Sequence, residues 1–316
     1  MNPFLDDSVT VAHQRIAPYI RRTPLSRTQI GGADVWFKHE YLQHTGSFKT
    51  RGALNRVLAA RSSGELTDAG VVCASGGNAG LAYAYAGKRL GIATTVFVPS
   101  IAPAVKVDAL LRLGADVRIV GSEFAESYVS AMDFTSKTGA TFGHPYDQPE
   151  MVAGAATMTA EIIEDVDDLD AVFIAVGGGG LVGGAMLAAP AGTTVVAVEP
   201  RMCSALNNAL IAGEPVDGPV GGVAADSLGA RRIGSIAFDL ARQHHPQAIV
   251  VEEHEIVAAR EFLWREYRVV VEHAAATAVA GLLSGAFVTE PGARIAVALC
   301  GANTDLSTLV ESAVQR

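Results

Sequence analysis

The sequence predicts an α/β chain organised as two α/β units. Three observations predict it. Apolar runs of strand length alternate with helical patterns, which signals parallel sheet buried on both faces. The alternation breaks once, at the Pro- and Gly-containing loop "FGHPYDQPE". Small-residue turns join strand to helix at two corners, "CASGGNAG" and "AVGGGGLVGG". The 316 residues are 49% hydrophobic and only 18% charged, which suits a globular chain with ample core.

The elements follow in order. "GVVCAS" reads as a strand leading into the Ala-rich helix "NAGLAYAYAGKRLG". "ATTVFVP" is the next strand, "APAVKVDALLRLG" a helix, "ADVRIVG" a strand, and a further helix runs through Lys137. After the breaking loop comes a helix over 151–165. The rhythm then returns with the strands "DAVFIAV", "TTVVAVE" and "ARIAVALCG". The smaller unit is expected at 62–146 and the larger at 1–61 and 147–316.

Composition excludes several functions. A formal net charge of −9 argues against nucleic-acid binding, which needs a basic stripe. The start "MNPFLDDSVT" lacks the basic and apolar regions of a secretory leader. The uncharged stretch Ala171 to Val198 has the length of a membrane span, but four consecutive glycines and Pro190 make it strand, loop, helix, turn and strand. Cys73, Cys203 and Cys300 form no CxxC pair, which fits a reducing cytoplasm and no zinc framework. "HEYLQ" and "HEIVA" begin like a zinc-protease helix and lack its second histidine.

Chemistry concentrates at the two corners and one lysine. In "AVGGGGLVGG" the glycines 178, 180 and 183 match GxGxxG, and Glu199 ends the next strand about 20 residues on, the spacing of a dinucleotide fingerprint. Successive glycines let backbone N–H groups converge on a phosphate at a helix's positive end. The turn thus indicates a phosphate, and an NAD enzyme is a rival reading. Ser75, Gly76, Gly77 and Asn78 repeat the geometry and suit a carboxylate or a phosphate, or simply cap a helix. Lys49, in "TGSFKTRGA", is no P-loop lysine, because no GxxxxG precedes it. A surface lysine would be the ordinary outcome. A Schiff-base lysine instead needs desolvation or a nearby cation to free its amine, and its neighbours here are compact. Two anion-shaped loops and one such lysine suit a phosphorylated aldehyde cofactor better than a dinucleotide.

With these motifs the sequence resembles the fold-type II pyridoxal-phosphate (PLP) enzymes, which are tryptophan synthase β-like in architecture, and among them the threonine/serine dehydratase and serine racemase group. "FKHEYLQHTGSFKTRGA" resembles the Schiff-base segment, "SGGN" the substrate-carboxylate loop, "GGGGL" the phosphate loop, and "CGAN" the strand end facing the pyridine nitrogen. "HPYDQPE" followed by "AGAATMTAEI" fits the domain-crossing segment. The resemblance covers nearly the whole chain.

It implies two open twisted α/β domains with the site between them, and Lys49 as the residue that carries PLP and later removes the α-proton. Phe48 would lie beside the ring. Ser75, Gly76, Gly77 and Asn78 would hold the substrate carboxylate, Asn78 also lying near the phenolic oxygen. Gly177, Gly178, Gly179, Gly180 and Leu181 would hold the phosphate, and Cys300 would face the ring nitrogen. The implied reaction is β-elimination from L-threonine or L-serine, giving a 2-oxo acid and ammonia, by a cytoplasmic homodimer. A bulkier 3-hydroxy amino acid, or racemisation of serine, is the alternative within the group. Glu199 matches the first acid of a divalent-metal site in racemase-like relatives, but Ala205 stands where the second acid is expected, so weak or absent metal dependence is expected, with Asp226 in "ADSLG" the acid that could substitute. Ala79 follows Asn78 where the group often has histidine. Cys300 replaces a more usual serine. The sequence ends soon after Asn303, so no isoleucine-binding regulatory domain is expected.

Overall fold

The computed structural model describes residues 7–102 and 104–309. The chain opens with α1 (Asp7–Ile16), the hairpin strands β1 (Leu25–Ile30) and β2 (Ala33–Lys38), and α2 (Lys49–Ser63). Alternating elements follow: β3 (Val71–Ala74), α3 (Asn78–Leu90), β4 (Thr94–Val98), α4 (Ala104–Arg112), β5 (Asp116–Ile119), α5 (Phe124–Thr138) and the short β6 (Thr141–Phe142). The chain then continues through α6 (Pro149–Asp165), β7 (Ala171–Ala175), α7 (Gly180–Ala188), β8 (Thr194–Pro200), α8 (Ala205–Ala212) and α9 (Ala225–Leu228). It closes with α10 (Ser235–His244), β9 (Gln247–Val251), α11 (Glu253–Tyr267), α12 (His273–Leu283) and β10 (Arg294–Ala298).

Each strand read from the sequence is present. They divide between a four-stranded sheet, ordered β5-β4-β3-β6, and a six-stranded sheet, ordered β1-β2-β10-β7-β8-β9. The smaller sheet is parallel throughout. The larger is parallel except for its edge hairpin, where Leu25 pairs with Lys38 and Ile30 with Ala33. Residues such as Val172, Phe173, Ile174, Val196 and Val297 are fully buried, as strands covered on both faces require. The sequence reading missed β1, β2, β6 and β9. Strands β1 and β9 lie at sheet edges with half-exposed side chains, and β6 is only two residues long.

Helix α2 joins the two units. Its Ala53, Leu54, Val57 and Leu58 share a core with Val71, Cys73 and Tyr83 of the smaller sheet's layers. Its other side meets α6 so closely that a Cβ on Gly154 would lie 2.6 Å from the Gly52 Cα. Only glycine allows that approach. At this crossing four charges are buried together. The Arg51 guanidinium donates to Glu40 at 2.6 and 3.1 Å and to Glu161 at 2.7 and 2.9 Å, and Lys38 donates to Glu161 at 2.6 Å. Two cations facing two carboxylates leave no net charge, which is what makes their burial tolerable.

Candidate active site

Strands β2, β10 and β7 are neighbours at the centre of the larger sheet, and the segments leaving their carboxyl ends converge. Ligands in open α/β sheets bind in this position. The segment after β2 stays stitched to the exit of β10. Tyr41 N donates to Leu299 O and Phe48 N to Cys300 O, both at 3.0 Å, and Ser47 bridges Gly301. This route places Lys49 as the first residue of α2. Thr45, a β-branched residue, takes φ 64° on the way. That strained conformation is held by Asn303 Nδ2, which donates to Thr45 O at 2.7 Å.

Lys49 is half-buried, and its Nζ donates to a neutral acceptor, Pro145 O, at 2.7 Å. The Phe48 ring centroid lies 5.0 Å from Nζ and that of Tyr146 lies 6.0 Å away. Protein surrounds the amine closely enough that desolvation lowers its pKa to about 8, while Cys300 and Glu272 pull weakly the other way. This is the freed amine that Schiff-base chemistry requires.

The glycine corner joins β7 to α7. Gly179 takes φ 98°, and a Cβ at Gly178 would sit 2.4 Å from the Tyr146 ring. The first helical hydrogen bond of the turn runs from Gly183 N to Gly179 O. The amides of Gly180, Leu181 and Val182 therefore precede the helical ladder and have no partner within it. The second corner joins β3 to α3. Ser75 Oγ accepts from Gly77 N at 3.3 Å, and Asn78 opens the helix. Gly76 carries no side chain, although a Cβ there would meet nothing nearer than 3.5 Å. Cys300 is buried at the end of β10, and burial keeps its thiol protonated.

Asn78 shows residues that the sequence reading missed. Its Nδ2 donates to both Glu272 oxygens, at 2.9 and 3.2 Å, and its Oδ1 accepts from Asn303 Nδ2 at 2.7 Å. Glu272 immediately precedes α12 and is 3% exposed. Burial raises its pKa to about 7 despite the Asn78 contact. The one local signal was a lone acid before the apolar run "AAATAVAGLL".

Glu199 lies apart from this constellation in its bonding. Its two oxygens accept from Leu206 N and Asn207 N, both at 2.8 Å, at the start of α8. Among the described residues, no group of three or more His, Cys, Asp or Glu is arranged to hold a metal. No helix of the described residues is long and apolar enough to cross a membrane.

A freed lysine amine, a glycine turn offering amides to a phosphate, and a buried protonated thiol just after β10 fit a phosphorylated aldehyde bound through Lys49. Ser47 Oγ, buried and without a partner among the described residues, leaves a further polar atom beside Lys49. Fold and site together define the fold-type II class of PLP enzymes. The model of the family described as "Pyridoxal-phosphate dependent enzyme" matches residues 16–301, and the chain belongs to that family. The chain is 33% identical to the L-threonine ammonia-lyase of Thermotoga maritima over 312 residues, 96% of this chain and 76% of that one. It is 34% identical to the serine racemase of Arabidopsis thaliana over 316 residues, 96% of this chain and 95% of that one. Among solved structures, maize serine racemase superposes with a TM-score of 0.90 at 30% identity, covering 98% of this chain and 96% of that one.

Proposed function

We propose that the chain is a dehydratase of the ammonia-lyase type, converting L-threonine or L-serine to a 2-oxo acid and ammonia. One observation carries the choice of elimination: Gly76 leaves the carboxylate loop without a side chain to serve as an acid–base group opposite Lys49. Racemisation removes a proton from one face of the α-carbon and returns one to the other, and in the racemases a serine at the Gly76 position serves that other face. Elimination needs a base on one face only.

PLP, when bound, supplies the electron sink for the α-carbon. The glycine-corner amides would hold its phosphate at the positive end of α7. Cys300 would face the ring nitrogen as a neutral group, and Phe48 would pack beside the ring. Ser75 and the amides of Gly76, Gly77 and Asn78 would orient the substrate carboxylate, fixing the α-hydrogen toward Lys49. The Lys49 amine would then take that proton at Nζ. In the net reaction the α-hydrogen and the β-hydroxyl would leave the substrate together as one water, and the enamine that remains would hydrolyse to 2-oxo acid and ammonia. The three cysteines, all free and buried, support placement in the reducing cytoplasm, and the family resemblance supports a homodimer.

The test is a panel of L-serine, L-threonine and larger 3-hydroxy amino acids, with 2-oxo acid, ammonia and D-serine measured together. Pyruvate or 2-oxobutanoate in excess of D-serine is expected. D-serine forming as fast as pyruvate, or turnover confined to the larger substrates, would contradict the proposal.

A further inference from the structure

Arg260, on α11, is 2% exposed, and among the described residues no carboxylate is ion-paired with it. Asp226 and Asp305 act on it only through space. A buried guanidinium facing neutral partners is a poor device for stability, because an apolar side chain would avoid its desolvation. Its hydrogen bonds show what it does instead. Nε donates to Val271 O at 2.8 Å and Nη1 to His273 Nε2 at 3.4 Å. A guanidinium has no acceptor, so His273 Nε2 must present its lone pair. Nη1 also donates to Thr308 Oγ1 at 2.8 Å, and Nη2 to Thr304 Oγ1 at 3.1 Å.

Three of these partners, Val271, His273 and Thr304, are the chain neighbours of two particular residues. Val271 and His273 flank Glu272, and Thr304 follows Asn303. Glu272 and Asn303 are the two side chains that bond Asn78. One planar fork thus grips both segments that anchor Asn78, and it does so from α11, which carries none of the site residues named above.

We propose that Arg260 is a positioning residue that sets Asn78 against the bound cofactor by fixing Glu272 and Asn303 together. The proposal rests on the reading that Asn78 touches PLP. Removing the fork lets the entry to α12 and the segment after β10 move independently, and Asn78 then loses its alignment while the fold persists.

The test measures PLP dissociation from the holoenzyme by equilibrium dialysis, following its near-visible absorption, for Asn78→Ala, Arg260→Met and the double variant. Far-ultraviolet circular dichroism should show all three folded. Each single variant should weaken PLP binding about tenfold, the effect of one polar contact to an ionised group. The double variant should also lose about tenfold, and not the roughly hundredfold of independent losses. Wild-type affinity in Arg260→Met, or additive losses in the double variant, would overturn the proposal. Wild-type affinity in Asn78→Ala would overturn the underlying reading of Asn78 instead. Should Arg260→Met not fold, Thr304→Val/Thr308→Val removes two of the acceptors and leaves the guanidinium on Val271. It should show the same non-additivity with Asn78→Ala, and wild-type affinity there would likewise overturn the proposal.

Discussion

At the scale of single residues, the chemistry we propose depends on the protonation state of Lys49. Desolvation brings its pKa from the ordinary 10.5 to about 8. Only the neutral amine attacks an aldehyde, so the rate of PLP capture by cofactor-free protein should rise roughly tenfold per pH unit below that value and level above it. Stopped-flow capture rates between pH 6 and 10 check this, and a rate climbing unbroken to pH 10 would contradict it. Lys49 was legible because its neighbours are small and its motif is contiguous. Pro145 O, Glu272 and Asn303 were not, since they reach the cleft from distant segments that only the tertiary fold brings together. Their partners are set by packing, and the lone acid before the apolar run of α12 was the one local sign of any of them.

At the scale of elements, helix starts organise the molecule. Those of α3 and α7 each follow a strand and a small-residue turn, so both were legible as strand-to-helix corners, which we propose bind anions. The start of α8 is different, because an internal acid occupies it. Glu199 gave the spacing of a ribose-binding residue and the match to a metal acid, yet its oxygens satisfy two α8 amides. That use could not be read from spacing. Burial raises the Glu199 pKa to about 7, so the folded state holds its proton more tightly than the unfolded chain does. The resulting stability is present below about pH 4.5 and declines as pH rises through about 7. Glu199→Gln stays neutral, so its stability relative to wild type should improve from pH 5 to pH 8, by about 3 kcal/mol at most. Urea unfolding at the two pH values measures it, and an unchanged difference would contradict the assignment. With that carboxylate committed to α8 and Ala205 beside it, a chelator should leave turnover unchanged, whereas a loss restored by magnesium would contradict this.

At the scale of the whole molecule, the two sheets were legible because their strands are continuous apolar runs, the pattern of burial on both faces. The division at 62–146 against 1–61 and 147–316, which we propose, separates the strands of one sheet from those of the other. It hides the double allegiance of α2, whose apolar face packs with the smaller sheet while Arg51 and Gly52 lock it to α6. Lys49 stands at the head of that shared helix. The central claim is that this lysine carries the cofactor. Borohydride reduction of the purified holoenzyme, followed by peptide mass mapping, tests it most directly. The pyridoxyl group is predicted on the peptide containing Lys49, with no near-visible absorption in Lys49→Ala. An adduct on another lysine, or a Lys49→Ala protein that keeps the absorption, would contradict the account.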